Sequence, residues 1–260
     1  MISNPFTGAG YFMQGLSLIN KPGVRRFVII PLLINTLLFI GLFTLLGGYF
    51  NDLVDKMLAY LPGWLSWLSW LFWLLFVVTA AILMFMTFSL LANLIGAPFN
   101  SYLAAAVEKH LTGHEPPESP RNLLQEIGVA MLSELKKWVY YLLWVIPLVI
   151  ASIILIPLAP VLWFLFGAWM YSIEYTDYPL GNYGLTFPQI RRKVGEQRFL
   201  SMGFGSAVTL ATMIPVFNFL VMPVAVAGAT ALRVKQMPMD RPSELSDSGD
   251  PQKTLPRKGK

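Results

Sequence analysis

The chain has 260 residues, of which 55% are hydrophobic and only 13% charged, with 19 basic against 14 acidic side chains and a formal net charge of +5. With a mean hydropathy of +0.59, this composition belongs to the membrane class and leaves no polar stretch long enough for a separate soluble domain. The absence of cysteine excludes disulfides, thiolate metal sites and thiol nucleophiles, and it fits a reducing compartment.

Four stretches carry no charged residue: 27–51, 64–101, 138–173 and 199–232. Ahead of them, Phe12, Leu16 and Ile19 recur at helical spacing and predict a short amphipathic helix at the membrane interface. The first basic residue is Lys21, so the N-terminus lacks the basic region of a cleavable signal. Asn20-Lys21-Pro22-Gly23 then breaks the chain. Pro22 suits the first turn of a new helix, with Arg25 and Arg26 in its opening turns. The 25 uncharged residues that follow make one span, because a bilayer core about 30 Å thick takes roughly 20 helical residues.

Residues 51–63 read as a short loop holding one lysine. Trp64, Trp67, Trp70 and Trp73 form an aromatic belt leading into one long helix. The second uncharged stretch would be a rod of about 57 Å, crossing once and projecting beyond the bilayer. After Pro98 the chain turns polar, and within residues 104–120, which hold two histidines and Pro116, Pro117 and Pro120, a helix is expected to end and a loop to follow. Ser119-Pro120 reads as the cap and first turn of another helix, placing Leu123, Ile127, Ala130, Met131 and Leu135 on one side along the membrane surface.

The last two uncharged stretches, 36 and 34 residues, are too long for one crossing and tight for two with a turn. The basic residues number 3 before the first span, 1 in 51–63, 4 in 102–137, 4 in 174–198 and 7 from Arg233 onward. Four simple spans would put Arg191, Arg192, Lys193 and Arg198 outside the cytoplasm, against the positive-inside rule. Stretches that enter and return on one side keep every basic segment cytoplasmic. Six full spans do so equally, and length arbitrates. Pro215 and Pro223 would leave arms of about 24 and 14 Å in the last stretch, which predicts a re-entrant hairpin. For the third stretch a kinked span through Pro147 stays open. Re-entrant turns expose backbone groups that need a protein or aqueous refuge, which implies an oligomer or a pore. The small-residue run 225–231 favours close helix packing.

The expected architecture is therefore an all-α integral membrane protein. It has two long transmembrane helices, two re-entrant (hemi-penetrating) helical hairpins and interfacial amphipathic helices. Residues 1–235 form a single membrane domain and 236–260 a disordered cytoplasmic tail. The basic excess, spread over membrane boundaries, sets orientation rather than marking a nucleic-acid partner.

Among candidate sites, Lys21-Pro22-Gly23-Val24-Arg25-Arg26 pairs adjacent guanidinium forks with a helix start, a combination suited to tetrahedral oxyanions. From spacing alone the same residues read first as a cytoplasmic anchor for the span, since basic flanks are the norm. Asn35, Asn93 and Asn100 either line a pathway or hydrogen-bond between helices. Glu174 and Asp177 either gate a pathway by pairing with the arginines or are simply solvated at the boundary. His110 and His114 have metal-ligand spacing, but Gly113 and the prolines weaken the helix such a pair needs. No catalytic constellation, metal set or nucleotide-binding glycine loop is present, so an enzyme or an ATP-driven engine within this chain is not expected.

Four segments together resemble the CysZ family of bacterial sulfate permeases: GVRRFVIIPLLINTLLF, NLIGAPFNSYLAAAVE, EYTDYPLGNYGLTFPQIRRKV and FGSAVTLATMIPVFNFLVMPVAVAGATAL. They cover most of residues 10–235 in order. The resemblance implies a multi-pass protein of the bacterial inner (cytoplasmic) membrane that admits sulfate for assimilation into cysteine, with sulfite and related oxyanions as further candidates. It also implies two long spans with two hemi-penetrating hairpins, and a homo-oligomer for which antiparallel pairing is associated with the family. The family's sulfate site, a Gly-Leu-Arg motif followed by a further arginine, corresponds here to Gly23-Val24-Arg25-Arg26, with Val in place of Leu. No cofactor is implied. The rival reading is a non-transporting protein whose wedge-like hairpins shape or scaffold the bilayer.

Overall fold

The computed structural model describes residues 4–60, 63, 67, 69–117 and 123–239. Their regular structure is helical throughout, in the order α1 (Pro5–Leu18), α2 (Arg26–Ala59), α3 (Ser69–Thr112), α4 (Leu123–Ile154), a 3-10 turn (Ile156–Leu158), α5 (Ala159–Gly181), α6 (Phe187–Glu196), α7 (Arg198–Thr212) and α8 (Pro215–Gln236). The protein is an all-α membrane protein. Four segments are long and apolar enough to cross a bilayer: Arg26–Thr44, Met131–Ile154, Ile156–Gly181 and Phe217–Gln236, with a shorter apolar segment at Trp73–Thr87.

Helix boundaries differ from the expectation at two places, residues 51–59 and the start of α2. Residues 51–59 continue α2 instead of forming a loop, because polar composition alone does not unwind a segment rich in Leu, Met, Lys and Ala. α3 contains Pro98 and ends at Thr112, within the 104–120 segment where a helix end and a loop are expected. Pro31, Pro147, Pro179 and Pro223 are likewise internal to their helices. In an apolar surrounding no water takes up a freed backbone group, so one lost bond at proline is cheaper than unwinding. α2 begins at Arg26, leaving Pro22 in the turn before it. The expected cap at Ser119-Pro120 lies outside the described residues, as do Trp64 and the tail from 240 onward. Gln236 still belongs to α8, and Met237 is buried.

The chain forms two compact units, Arg26–Phe99 and the remainder, Met1–Arg25 with Asn100–Lys260. In the first of these, α2 exposes Ile29, Leu33, Leu37 and Phe43. Thr36 and Thr44 bond back to the carbonyls of Leu32 and Ile40, so their hydroxyls need no water.

In the other unit, α1, α5 and α7 pack around α8. α1 opens with Asn4, whose Oδ1 accepts from the Phe6 amide at 2.9 Å, followed by Pro5 in the first turn. Its apolar face, Tyr11, Phe12 and Leu18, is covered by α7 and α8. Close approach here depends on glycine: a Cβ at Gly8 would run into the Leu200 carbonyl, and one at Gly15 into that of Val224. α8 is the central helix, with 61% of its apolar window buried, against 6% for that of α4. α4 instead exposes Leu135, Leu142, Leu143, Ile146 and Ile150, a face that lipid would solvate.

Both helix reversals are apolar. Between α4 and α5, Ile154 and Ile156 are 72% and 71% exposed, and between α7 and α8 Met213 and Ile214 are exposed. Their amides are nonetheless paired locally. Leu155 donates to Ala151, Leu158 to Leu155, Met213 to Leu210 and Ile214 to Ala211, at 2.8–3.2 Å. The refuge expected for such turns is thus partly supplied by the turns themselves.

Candidate functional site

Two charge clusters, each centred on a buried cation, sit among the apolar helices of the larger unit. The first joins three distant parts of the chain. The end of α3 buries Leu103, Ala104 and Val107, and the same face carries Glu108, 1% exposed. The buried run of α8 ends in Leu232 and Arg233, the latter 3% exposed. Tyr183 comes from the α5–α6 connection, which Gly184 closes at φ +72°. Arg233 Nη2 donates to Glu108 Oε2, and Tyr183 Oη donates to Oε1 of the same carboxylate at 2.5 Å. The guanidinium also lies 4.3 Å over the Tyr183 ring, a cation–π contact strengthened by desolvation. Burial and the bond to Glu108 raise the Tyr183 phenol above its ordinary value. Arg233 Nε is buried without a partner among the described residues.

The second cluster links α4 to α5. Lys137, 3% exposed, places Nζ 2.7 Å from Asp177 Oδ2, 2.8 Å from Glu134 Oε1 and 3.2 Å from Glu174 Oε2. Tyr141 Oη donates to Glu174 Oε2 at 3.4 Å. Residues 134, 137 and 141 share one helical face, and 174 and 177 share another. Three carboxyl groups thus surround one ammonium. Glu174 and Asp177 therefore do come together with a cation, but it is Lys137 and not an arginine.

The segment before α2 is a tight turn. The amides of Val24 and Arg25 both donate to the Lys21 carbonyl at 3.1 Å. Gly23 adopts φ +84°, where only glycine is unstrained, and a Cβ there would meet nothing within 4 Å. Val24 is buried, whereas Gly23, Arg25 and Arg26 are exposed, and Arg26 stacks 4.7 Å over Phe27.

The asparagines have different fates. Asn100 is buried and donates to Met222 Sδ at 3.2 Å, joining α3 to α8. Asn35 Oδ1 is buried without a partner among the described residues. The side chain of Asn93 lies outside the described residues. His110 and His114 fall on either side of the α3 terminus, where Gly113 adopts φ +79°, so they do not share a helical face.

Sequence reasoning missed Glu108, Lys137, Tyr183 and Arg233. A usable signal existed for Lys137: it closes the polar run ahead of the third apolar stretch, at helical spacing from Glu134. None existed for Glu108 and Arg233, which are 125 positions apart.

A family model described as Sulfate transporter CysZ/Etoposide-induced protein 2.4 matches residues 11–223, from within α1 to within α8.

Proposed function

The chain belongs to the sulfate transporter CysZ/etoposide-induced protein 2.4 family, and from that premise we propose that it admits sulfate across the bacterial inner membrane for assimilation into cysteine. The observation that carries the anion site is the Gly23–Arg26 turn. It combines an open glycine backbone with two exposed guanidinium groups immediately before a strongly apolar span. The Gly23 amide, Arg25 and Arg26 are the donors. The Val24 amide is engaged with Lys21, so Val24 acts through its buried side chain, which seats the turn. Sulfate crosses only by exchanging hydration for fixed donors that hold it loosely enough to leave again.

In this reading α4–α5 and α7–α8 are re-entrant hairpins. Their exposed apolar reversals support it: a full crossing would deliver Ile154, Ile156, Met213 and Ile214 to water. α7 has 15 residues, about 22 Å, against a core of about 30 Å. The second arm is not the length of about 14 Å expected from Pro223, because that proline lies inside the 22-residue α8, so the reading rests on α7 and the reversals. Asn35, Asn93 and Asn100 are pathway candidates, and the Lys137 cluster with Glu174 and Asp177 is the candidate gate, because charge inside a membrane helix bundle is costly unless it serves function. Copies of the chain assemble as a homo-oligomer, and sulfite or related oxyanions compete for the site.

Radiolabelled sulfate uptake into proteoliposomes, with unlabelled sulfite, selenate and chloride as competitors, tests the proposal. Saturable uptake that competing oxyanions reduce is expected. Uptake no faster than leak from protein-free vesicles would favour the membrane-shaping alternative.

A further inference from the structure

A cleft of about 390 Å³ opens between α5, α6 and α7, lined by Trp169, Gly195, Arg198, Phe199 and Met202. Its walls are largely apolar, and Phe199 is exposed. Arg198 is the one cation of the lining. It has no ion pair or hydrogen-bonded side-chain partner among the described residues, whereas Arg233 is held by Glu108 and Arg192 reaches Glu196 at 3.5 Å. Arg198 opens α7 at the polar base of the α7–α8 pair, while Phe199 and Met202 lie within its first turns, leading toward the apolar reversal. Indole, phenyl and thioether walls below a free guanidinium match an amphiphile with an anionic head. They do not match a small hydrated dianion, which would exchange its water for apolar contact and a single fork.

We propose that this cleft holds an acidic phospholipid, its phosphate on Arg198 and the start of one acyl chain against Trp169, Phe199 and Met202. Arg191, Arg192 and Lys193, on the neighbouring amphipathic helix α6, whose apolar side, Phe187, Ile190 and Val194, is buried, lie outside the lining and serve as the internal control. A bidentate guanidinium–phosphate contact supplies headgroup selectivity, and the apolar lining retains the chain. The site stands whether or not sulfate is the cargo.

The test is native mass spectrometry of the full chain released from micelles containing equal phosphatidylglycerol and phosphatidylcholine. Wild type should retain one phosphatidylglycerol in preference to phosphatidylcholine. Arg198→Gln, an exposed change, should reduce that preference about tenfold, while Arg191→Gln with Arg192→Gln should leave it within about twofold. Phe199→Ser with Met202→Ser should lower retention of both lipids. The proposal is overturned if wild type shows no preference, if the α6 pair rather than Arg198 carries it, or if millimolar sulfate displaces the lipid.

Discussion

The Lys137 ammonium lies 2.7 Å from the Asp177 carboxylate and so ties α4 to the end of α5. Removing one partner of a buried pair leaves the other's charge uncompensated, which costs more than the pair itself contributes. Lys137→Met should therefore destabilise the protein by about 3 kcal/mol, seen as a lower thermal midpoint in detergent. Adding Asp177→Asn should recover part of that loss. Equal midpoints for Lys137→Met and wild type would contradict the arrangement.

Arg25→Ala with Arg26→Ala should weaken sulfate binding by at least about tenfold, since each charge-assisted contact is worth about 1.5–3 kcal/mol. Isothermal calorimetry on the purified protein measures this directly. Replacing both with Lys should fall between the two, because the ammonium keeps charge but loses the planar fork. The fold should be untouched, as both side chains are exposed.

Gly8 and Gly10 provide an internal comparison two residues apart on α1. A Cβ at Gly8 would meet the Leu200 backbone, whereas one at Gly10 meets nothing within 4 Å. Gly8→Ala should lower stability by about 2 kcal/mol through overpacking. Gly10→Ala should raise it by about 0.5–1 kcal/mol through helix propensity. Thermal unfolding of the two variants in the same detergent gives the sign of each.

The raised phenol of Tyr183 fixes a direction for alkaline behaviour. In the unfolded chain this group loses its proton near pH 10, while in the folded protein it keeps it to higher pH. The folded state then binds the extra proton, so stability is fully present below about pH 10 and falls as pH rises above it. Tyr183→Phe removes this group's contribution. The gap between wild type and Tyr183→Phe should accordingly narrow between pH 9 and pH 11 in denaturant titrations. A constant gap would show that the phenol titrates as it does in the unfolded chain.

The membrane class and the helical character were legible because charge is absent from whole segments, and no tertiary contact is needed to see that. The turn at Pro215 was legible for a similar local reason: a proline after Met213-Ile214 opens α8 where its missing amide costs nothing. Pro98 and Pro223 carry the same local signal, yet both lie inside helices. What decides between the outcomes is the surrounding medium and packing. The α1 face was recognisable as apolar, but its cover, α7 and α8, lies some two hundred residues away. Glu108 and Arg233 meet only once the fold exists. Each alone reads as an ordinary charge near a helix end.

The docking of α1 has a consequence for biogenesis. This helix leaves the ribosome before the surfaces that cover Tyr11 and Phe12, which belong to α7 and α8, nearly two hundred residues later in the chain. Until then its greasy side must be sheltered by lipid or by the insertion machinery. Synthesis of α7 and α8 is thus what allows α1 to settle, and a nascent chain stalled before α8 would be left with that helix unseated.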